Sequence, residues 1–182
     1  MPPHISPLGK DHNRSAFESG DTDLDRYLRL FAGQNQFKHL AGVTYVATEG
    51  DQSAVVIGYY TLAATNIPYH LIMDVSTLKR LPHMDVPAVL LARLAVTKIH
   101  QNQGLGRQLL GDAIRRSLEL TTVIGCRCLI VDAYLSAVAW YAKFGFIELS
   151  PDPAVPNTRR MVLDLRTAAL AVRKAASNLH QM

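Results

Sequence analysis

The chain is short of several things that would mark particular classes of protein. Its 182 residues include two cysteines and one tryptophan, and only 19% of its side chains are charged. The two thiols, Cys126 and Cys128, cannot build a disulfide framework; on a strand they point to the same face, where a bridge is hard to form. Nor do they supply the four ligands that a structural zinc site wants, so no metal is expected. Apolar runs are short, Ala88 to Ala92 being typical, and none approaches the length of a membrane-spanning helix. The start, Met1-Pro2-Pro3-His4, lacks the basic region and apolar stretch of a secretory signal. These absences predict a cytoplasmic protein with reduced thiols and no membrane contact.

What is present suits an ordinary folded domain. Apolar residues make up 48% of the chain, and the length allows one core able to fold alone. The net charge is only +4, but it is unevenly spread. Residues 79–116 carry Lys79, Arg80, Arg93, Lys98, Arg107, Arg115 and Arg116 against Asp85 and Asp112, while residues 1–60 are net acidic. A basic segment of this kind suits a polyanionic ligand, either a phosphorylated cofactor or a nucleic acid. It could also be a solvated helix face.

Periodicity and turn residues predict the elements. Leu24, Leu28 and Phe31 are spaced for a helix over 22–36, capped by Asp21 or Thr22. Segments 43–48 and 54–65, rich in Val, Ile, Tyr and Thr, read as a hairpin around Glu49-Gly50-Asp51. A short helix is expected near 74–80, then a buried central strand over 87–97 interrupted by Arg93. A helix from about Gly104 places Leu109, Leu110, Ala113, Ile114 and Ser117 inward, with Arg107, Asp112, Arg115 and Glu119 outward. A strand over 127–133, a helix over 135–143, strands at 145–149 and 159–165, and a helix over 166–178 complete the order. This is a mixed α/β arrangement around one sheet.

The chemistry concentrates where the central strand ends. Gln101-Asn102-Gln103-Gly104-Leu105-Gly106 lies between that strand and the next helix. Gly104 and Gly106 permit unusual φ values and close approach of a ligand to the backbone. The helix N-terminus just after them offers free N–H groups and the positive end of a dipole, which favour a phosphate. The segment is no Walker A loop, for it lacks Gly-Lys-Ser/Thr, and no dinucleotide fingerprint, for it lacks the third glycine and the ribose acid.

Q-x-x-G-x-G after Leu91-Ala92-Arg93-Leu94-Ala95-Val96 resembles the pyrophosphate signature of the GNAT acetyltransferases. Ala139-Trp140-Tyr141-Ala142-Lys143-Phe144-Gly145-Phe146 resembles their second signature, with Trp140 where Phe is usual. The opening Phe17-Glu18-Ser19-Gly20 and Leu24-Asp25-Arg26-Tyr27-Leu28 is similar to one subgroup, the toxins of toxin–antitoxin pairs that acetylate the amino acid on charged tRNA. Val56 to Leu62, and Val86-Pro87 leading into Leu91–Val96, are similar as well. The likeness spans roughly residues 5–166; Thr97 departs from it where the subgroup often has an acid. It implies the GNAT fold, a single mixed and mostly antiparallel sheet flanked by helices, in a domain of residues 1–166 with a helical tail over 167–182.

The resemblance also implies roles. Acetyl-CoA is the cosubstrate. Gln101, Asn102, Gln103, Gly104, Leu105, Gly106 and Arg107 hold its phosphates, and the backbone of Leu94, Ala95 and Val96 holds its pantetheine and acetyl carbonyl. Tyr141 is the catalytic residue: a phenol, with an ordinary pKa of about 10, can donate to a departing thiolate whose conjugate acid titrates near 8.5. Without the resemblance, Tyr141 is as readily an aromatic core residue. Arg93 is either a contact to the tRNA acceptor end or half of a structural ion pair. Lys79, Arg80, Arg115 and Arg116, with Arg159 and Arg160, are candidate tRNA contacts. His100 is a candidate base or phosphate contact, although an α-amine titrating near pH 8 has little need of a base. The expected partners are an aminoacyl-tRNA, a ribbon-helix-helix antitoxin, a second copy of the chain in a homodimer, and operator DNA through the antitoxin complex. Two alternatives remain: an acetyltransferase for a small amine or protein amine, and an acetyl-CoA-binding regulatory module without turnover.

Overall fold

The computed structural model describes residues 3–51, 53–72, 75–76, 78, 81, 83–149 and 156–171. Its strands form one seven-stranded sheet in the order β1-β2-β3-β4-β5-β7-β6. These are β1 (His4–Pro7), β2 (Val43–Thr48), β3 (Val56–Ile67), β4 (Val86–Val96), β5 (Cys128–Tyr134), β6 (Ile147–Glu148) and β7 (Thr158–Asp164). The recorded pairings are antiparallel except for β4 with β5, which is parallel over Ala88 to Leu90. The expected mixed, mostly antiparallel sheet is therefore present. Among the described residues no helix is long and apolar enough to cross a membrane.

The chain packs as two compact units, each with its own core. The first comprises the chain up to Ala64 together with Leu91–Arg115. Its N-terminal helix begins as α1 (Thr22–Arg26), where the Asp21 carboxylate accepts from the Asp23 and Leu24 N–H groups. It continues unbroken through a π turn at Tyr27–Phe31, α2 (Ala32–Gln34) and a second π turn at Asn35–His39. Each π turn takes in an extra residue and rotates the helix face beyond it. The expected stripe accordingly holds only to Leu28, which is fully buried. Phe31 is turned outward and Ala32 takes its place in the core. Tyr59 sits at the centre of that core, edge-on to Phe17 at 5.5 Å and stacked on Tyr27 at 6.3 Å. Its hydroxyl donates to the Leu24 carbonyl at 2.8 Å. The strand β1 has no counterpart among the elements that periodicity predicts. Four residues ending in proline carry little strand signal, and they are held only as an edge against β2.

The first unit also holds the start of α4 (Leu105–Val123). Leu109, Leu110 and Ala113 are buried, and so is Ser117 further along the helix, as the stripe predicted, while Ile114 is half-buried. β3 meets this helix at Gly58, where a Cβ would lie 2.9 Å from Leu109 Cδ1 and 3.3 Å from Leu105 Cδ2. Nearby, the Tyr60 hydroxyl donates to Asp112 Oδ2 at 2.5 Å.

The second unit comprises Thr65–Leu90 and the chain from Arg116 onward. Its core gathers Ile67, Ile72, Val86, Cys128, Ile130 and Val162. Cys126 and Cys128 are buried free thiols, as expected. A short helix, α3 (Tyr69–Ile72), follows β3; much of the segment near 74–80, where a helix is expected, lies outside the described residues. The helix expected over 135–143 resolves into a 3-10 turn at Leu135–Ala137 and α5 (Val138–Ala142). After β7 a helix covers residues 165–171; the rest of the expected tail lies outside the described residues.

Candidate active site

In the first unit β4 runs to Val96, six residues past its ladder with β5, which ends at Leu90. Beyond a ladder, strand N–H and C=O groups must find other partners, and a bound ligand can serve. The chain then makes a 3-10 turn at Lys98–His100 and an exposed loop, Gln101 to Gly104. Two loop residues are left-handed, Asn102 at φ 61° and Gly104 at φ 88°. A Cβ on Gly104 would meet nothing within 4 Å, so the backbone twist, not crowding, calls for glycine here. Gly106 departs from the expectation of an unusual φ: it lies in the first turn of α4 with ordinary helical backbone. The first backbone bond of the helix runs from Gln108 N–H to the Gly104 carbonyl at 3.2 Å. The N–H groups of the first turn therefore stand outside the helical ladder, where an anion is favoured.

The loop's side chains bond to protein backbone. Gln101 Nε2 donates to the Ser19 carbonyl at 2.8 Å and to the Val96 carbonyl at 2.9 Å. Gln103 Nε2 donates to the Ile99 carbonyl at 2.8 Å. Thr97 Oγ1 donates to the Glu18 carbonyl at 3.1 Å, a bond that an ionised acid at this position could not make. Lys98 pairs with Glu18 at 2.5 Å, both side chains being exposed. The Phe17–Gly20 motif is thus seated on the loop some 80 residues downstream of it. Sequence reasoning assigned Glu18, Ser19 and Glu49 no role here, and no local pattern marks them.

His100 Nε2 lies 2.8 Å from Glu49 Oε1, in the turn between β2 and β3. Its Nδ1 is buried without a hydrogen-bond partner. The ring thus links the turn to the segment that leads into the loop. A cavity of about 490 Å³ opens there, lined by Pro3, Glu49, Ile57, His100, Gln103 and Leu105.

The basic residues divide by partner. The Arg93 guanidinium lies 4.5 Å above the Tyr27 ring and donates to the Ala92 carbonyl at 2.9 Å. An aromatic face thus takes the place of the carboxylate in the ion-pair alternative, and stabilises an arginine on an apolar strand. Arg115 pairs with Asp112 at 2.7 Å. Lys79 and Arg80 lie outside the described residues. In the second unit, Arg160 holds Asp132 through two bonds of 2.8 Å, and Arg159 lies 3.2 Å from Glu148.

Tyr141, also in the second unit, is 7% exposed. Its ring meets Trp140 edge-on at 4.9 Å and Phe146 at 5.4 Å. Burial pushes its phenol well above the ordinary tyrosine range, so it stays protonated at neutral pH. Among the described residues no group hydrogen-bonds its hydroxyl. Among the described residues no cluster of ligating side chains could hold a metal ion.

A left-handed glycine loop between a strand and a long helix is an arrangement that suits a phosphate-bearing ligand. The family model described as the acetyltransferase (GNAT) domain matches residues 41–148. A "tRNA-acetylating toxin" of Mycobacterium tuberculosis is 36% identical over 141 residues, 76% of this chain and 81% of the relative. The chain belongs to the GNAT acetyltransferase family, and its cosubstrate is acetyl-CoA. Two solved structures share the fold. AtaT complexed with acetyl-methionyl-tRNAfMet has a TM-score of 0.82 at 23% identity, covering 94% of this chain and 99% of that one. A tyrosine-to-phenylalanine mutant of AtaT, bound to the C-terminus of the antitoxin AtaR and acetyl-CoA, has a TM-score of 0.74 at 22% identity, covering 94% and 98%.

Proposed function

We propose that this protein is a toxin that moves acetyl from acetyl-CoA to the α-amino group of an aminoacyl-tRNA and so stops translation. The observation that carries the reading is the 36% identity to a tRNA-acetylating toxin over 81% of that protein's length. The seating of Phe17–Gly20 on the proposed cofactor loop supports it, since that motif resembles the opening of the toxin subgroup.

In this mechanism the first-turn N–H groups of α4, with the loop from Gln101 to Arg107, hold the cofactor's pyrophosphate. Backbone of Leu94–Val96 aligns the pantetheine arm and donates to the acetyl oxygen, an oxyanion interaction typically worth ~3–4 kcal/mol. The neutral amine attacks the thioester carbon. The new N–C bond forms, the C–S bond breaks, and the amine's proton leaves to water. Tyr141 donates its proton to the departing sulfur and is reprotonated from solvent. Arg93, Arg107, Arg115 and Arg116 are assigned to the phosphates of the two substrates, Arg115 giving up its Asp112 contact in part. Acetylation removes the nucleophile that peptide-bond formation needs. Charged tRNA places the reaction in the cytoplasm. The partners in this reading are a second copy of the chain and a ribbon-helix-helix antitoxin, whose complex with the toxin binds operator DNA.

Labelled acetyl-CoA supplied with charged tRNA should give labelled acetyl-aminoacyl-tRNA, and deacylated tRNA should give none. Absence of label on every aminoacyl-tRNA would overturn the acceptor. The matching acetyltransferase (GNAT) domain model names no acceptor, and a small or protein amine is the second reading. A chain with that activity should leave growth unaffected when its expression is induced.

A further inference from the structure

We infer that Gln101 is a positioning residue that joins the cofactor loop to the N-terminal helix, so that acetyl-CoA binding orders that helix. The inference rests on the loop being the coenzyme A loop, as the family assignment has it. Both amide protons of Gln101 are committed, one to the Ser19 carbonyl at 2.8 Å and one to the Val96 carbonyl at 2.9 Å. Val96 ends the strand assigned to the acetyl arm, and Gln101 opens the phosphate loop. One side chain therefore closes the segment between them and sets the angle at which the loop leaves the strand.

The Ser19 end is anchored in turn. Its N–H donates to Asp25 Oδ1 at 2.8 Å and its hydroxyl donates to the same oxygen at 2.6 Å. Asp25 is 6% exposed and sits in α1, one residue before the last of that helix and close to the first π turn. Two further bonds hold the neighbouring Glu18 carbonyl, from Lys98 N–H at 2.8 Å and Thr97 Oγ1 at 3.1 Å. A chain of short polar contacts thus runs from loop to helix: Gln101, Ser19, Asp25. The Gln101 side chain is exposed and both of its acceptors are carbonyls that water could serve. Deleting it should leave the fold standing and change where the loop lies.

The test uses the full-length protein, with titration calorimetry for acetyl-CoA and hydrogen exchange with and without saturating acetyl-CoA. In the wild type the cofactor should slow exchange over residues 105–112 and also over residues 17–28. In Gln101→Ala the affinity should fall about tenfold, the loss expected from one or two net hydrogen bonds, with Tm nearly unchanged. Protection over 105–112 should survive at saturation while protection over 17–28 disappears. Gln101→Arg, which keeps donors for both carbonyls, should bind within about threefold of the wild type and restore protection over 17–28. Should Gln101→Ala fail to fold, Gln101→Glu keeps the length but has no donor and carries the same expectation. Unchanged affinity in both donorless variants overturns the inference. Reduced affinity with protection over 17–28 intact would mean that the Gln101 side chain acts on the cofactor directly and not through the helix, and overturns it too. Failure of the wild type to bind acetyl-CoA would instead overturn the assignment of the loop.

Discussion

Removing one oxygen atom from Tyr141 isolates the proposed proton donor. The hydroxyl makes no hydrogen bond among the described residues, while the ring packs edge-on against Trp140 and Phe146. Tyr141→Phe keeps that packing. Losing a buried hydroxyl without a protein partner costs little, so Tm should move by no more than the change produced by about 0.5 kcal/mol. The effect on turnover should be far larger. A positioned general acid contributes about 10²–10⁴-fold, or roughly 3–5 kcal/mol of barrier. Burial raises the phenol, which keeps the acid loaded across the neutral range. The wild-type rate should therefore show no falling limb from this group below about pH 10. The assay is single-turnover release of coenzyme A thiol with saturating aminoacyl-tRNA, set beside calorimetric affinity for acetyl-CoA. The expected result is a slow chemical step with cofactor affinity within about twofold. An unchanged rate removes Tyr141 from the mechanism. A rate loss matched by an equal loss of affinity makes it a binding residue.

Three other perturbations test the framework. Gly104→Ala forces a Cβ onto φ 88° without any clash; the left-handed strain of about 1–2 kcal/mol should weaken acetyl-CoA affinity roughly 5–30-fold, and unchanged affinity would mean that the loop's twist is irrelevant to binding. Gly58→Ala drives a methyl to 2.9 Å from Leu109 Cδ1; overpacking of about 1–3 kcal/mol should lower Tm by roughly 3–9 °C for a chain of this length, and scanning calorimetry showing no change would count against close packing of β3 on α4. Burial, reinforced by the Asp164 carboxylate, pushes the Cys128 thiol up to about 12 from an ordinary 9.0. The unfolded chain then ionises first, so stability from this group is whole below pH 9 and declines as pH rises toward 12. Stability from urea unfolding should fall more steeply from pH 9 to 11 in the wild type than in Cys128→Ala, by about 1.4 kcal/mol per pH unit at most, and parallel slopes would refute the shift.

The cofactor loop is legible along the chain because everything it needs is contiguous. A strand, a residue able to turn left-handed and a helix N-terminus succeed one another within a dozen residues, and each is a local property of backbone and side-chain type. The same holds for the buried stripe of α4 and for the hairpin around Glu49–Asp51. The helix expected near 74–80 falls largely outside the described residues. The face of the N-terminal helix is only half legible. Period counting assumes uniform α turns, and two π turns rotate the later residues, exposing Phe31 and burying Ala32.

Sequence by itself marked a loop suited to a phosphate, through Gly104 and the strand and helix around it. It placed Tyr141 in a second motif, but neither the burial of that phenol nor the lack of a partner for its hydroxyl. The tertiary structure alone decided which basic residues are occupied. Arg93 lies on Tyr27, Arg115 on Asp112 and Arg160 on Asp132. It also brought Ser19 to Gln101 across 82 residues of chain. Such contacts depend on how distant segments meet when the core closes, and a carbonyl that accepts a bond leaves no mark on the identity of its residue. The left-handed twist of a loop is written in its own glycine; its anchorage to Glu18 and Ser19 is written nowhere along the chain.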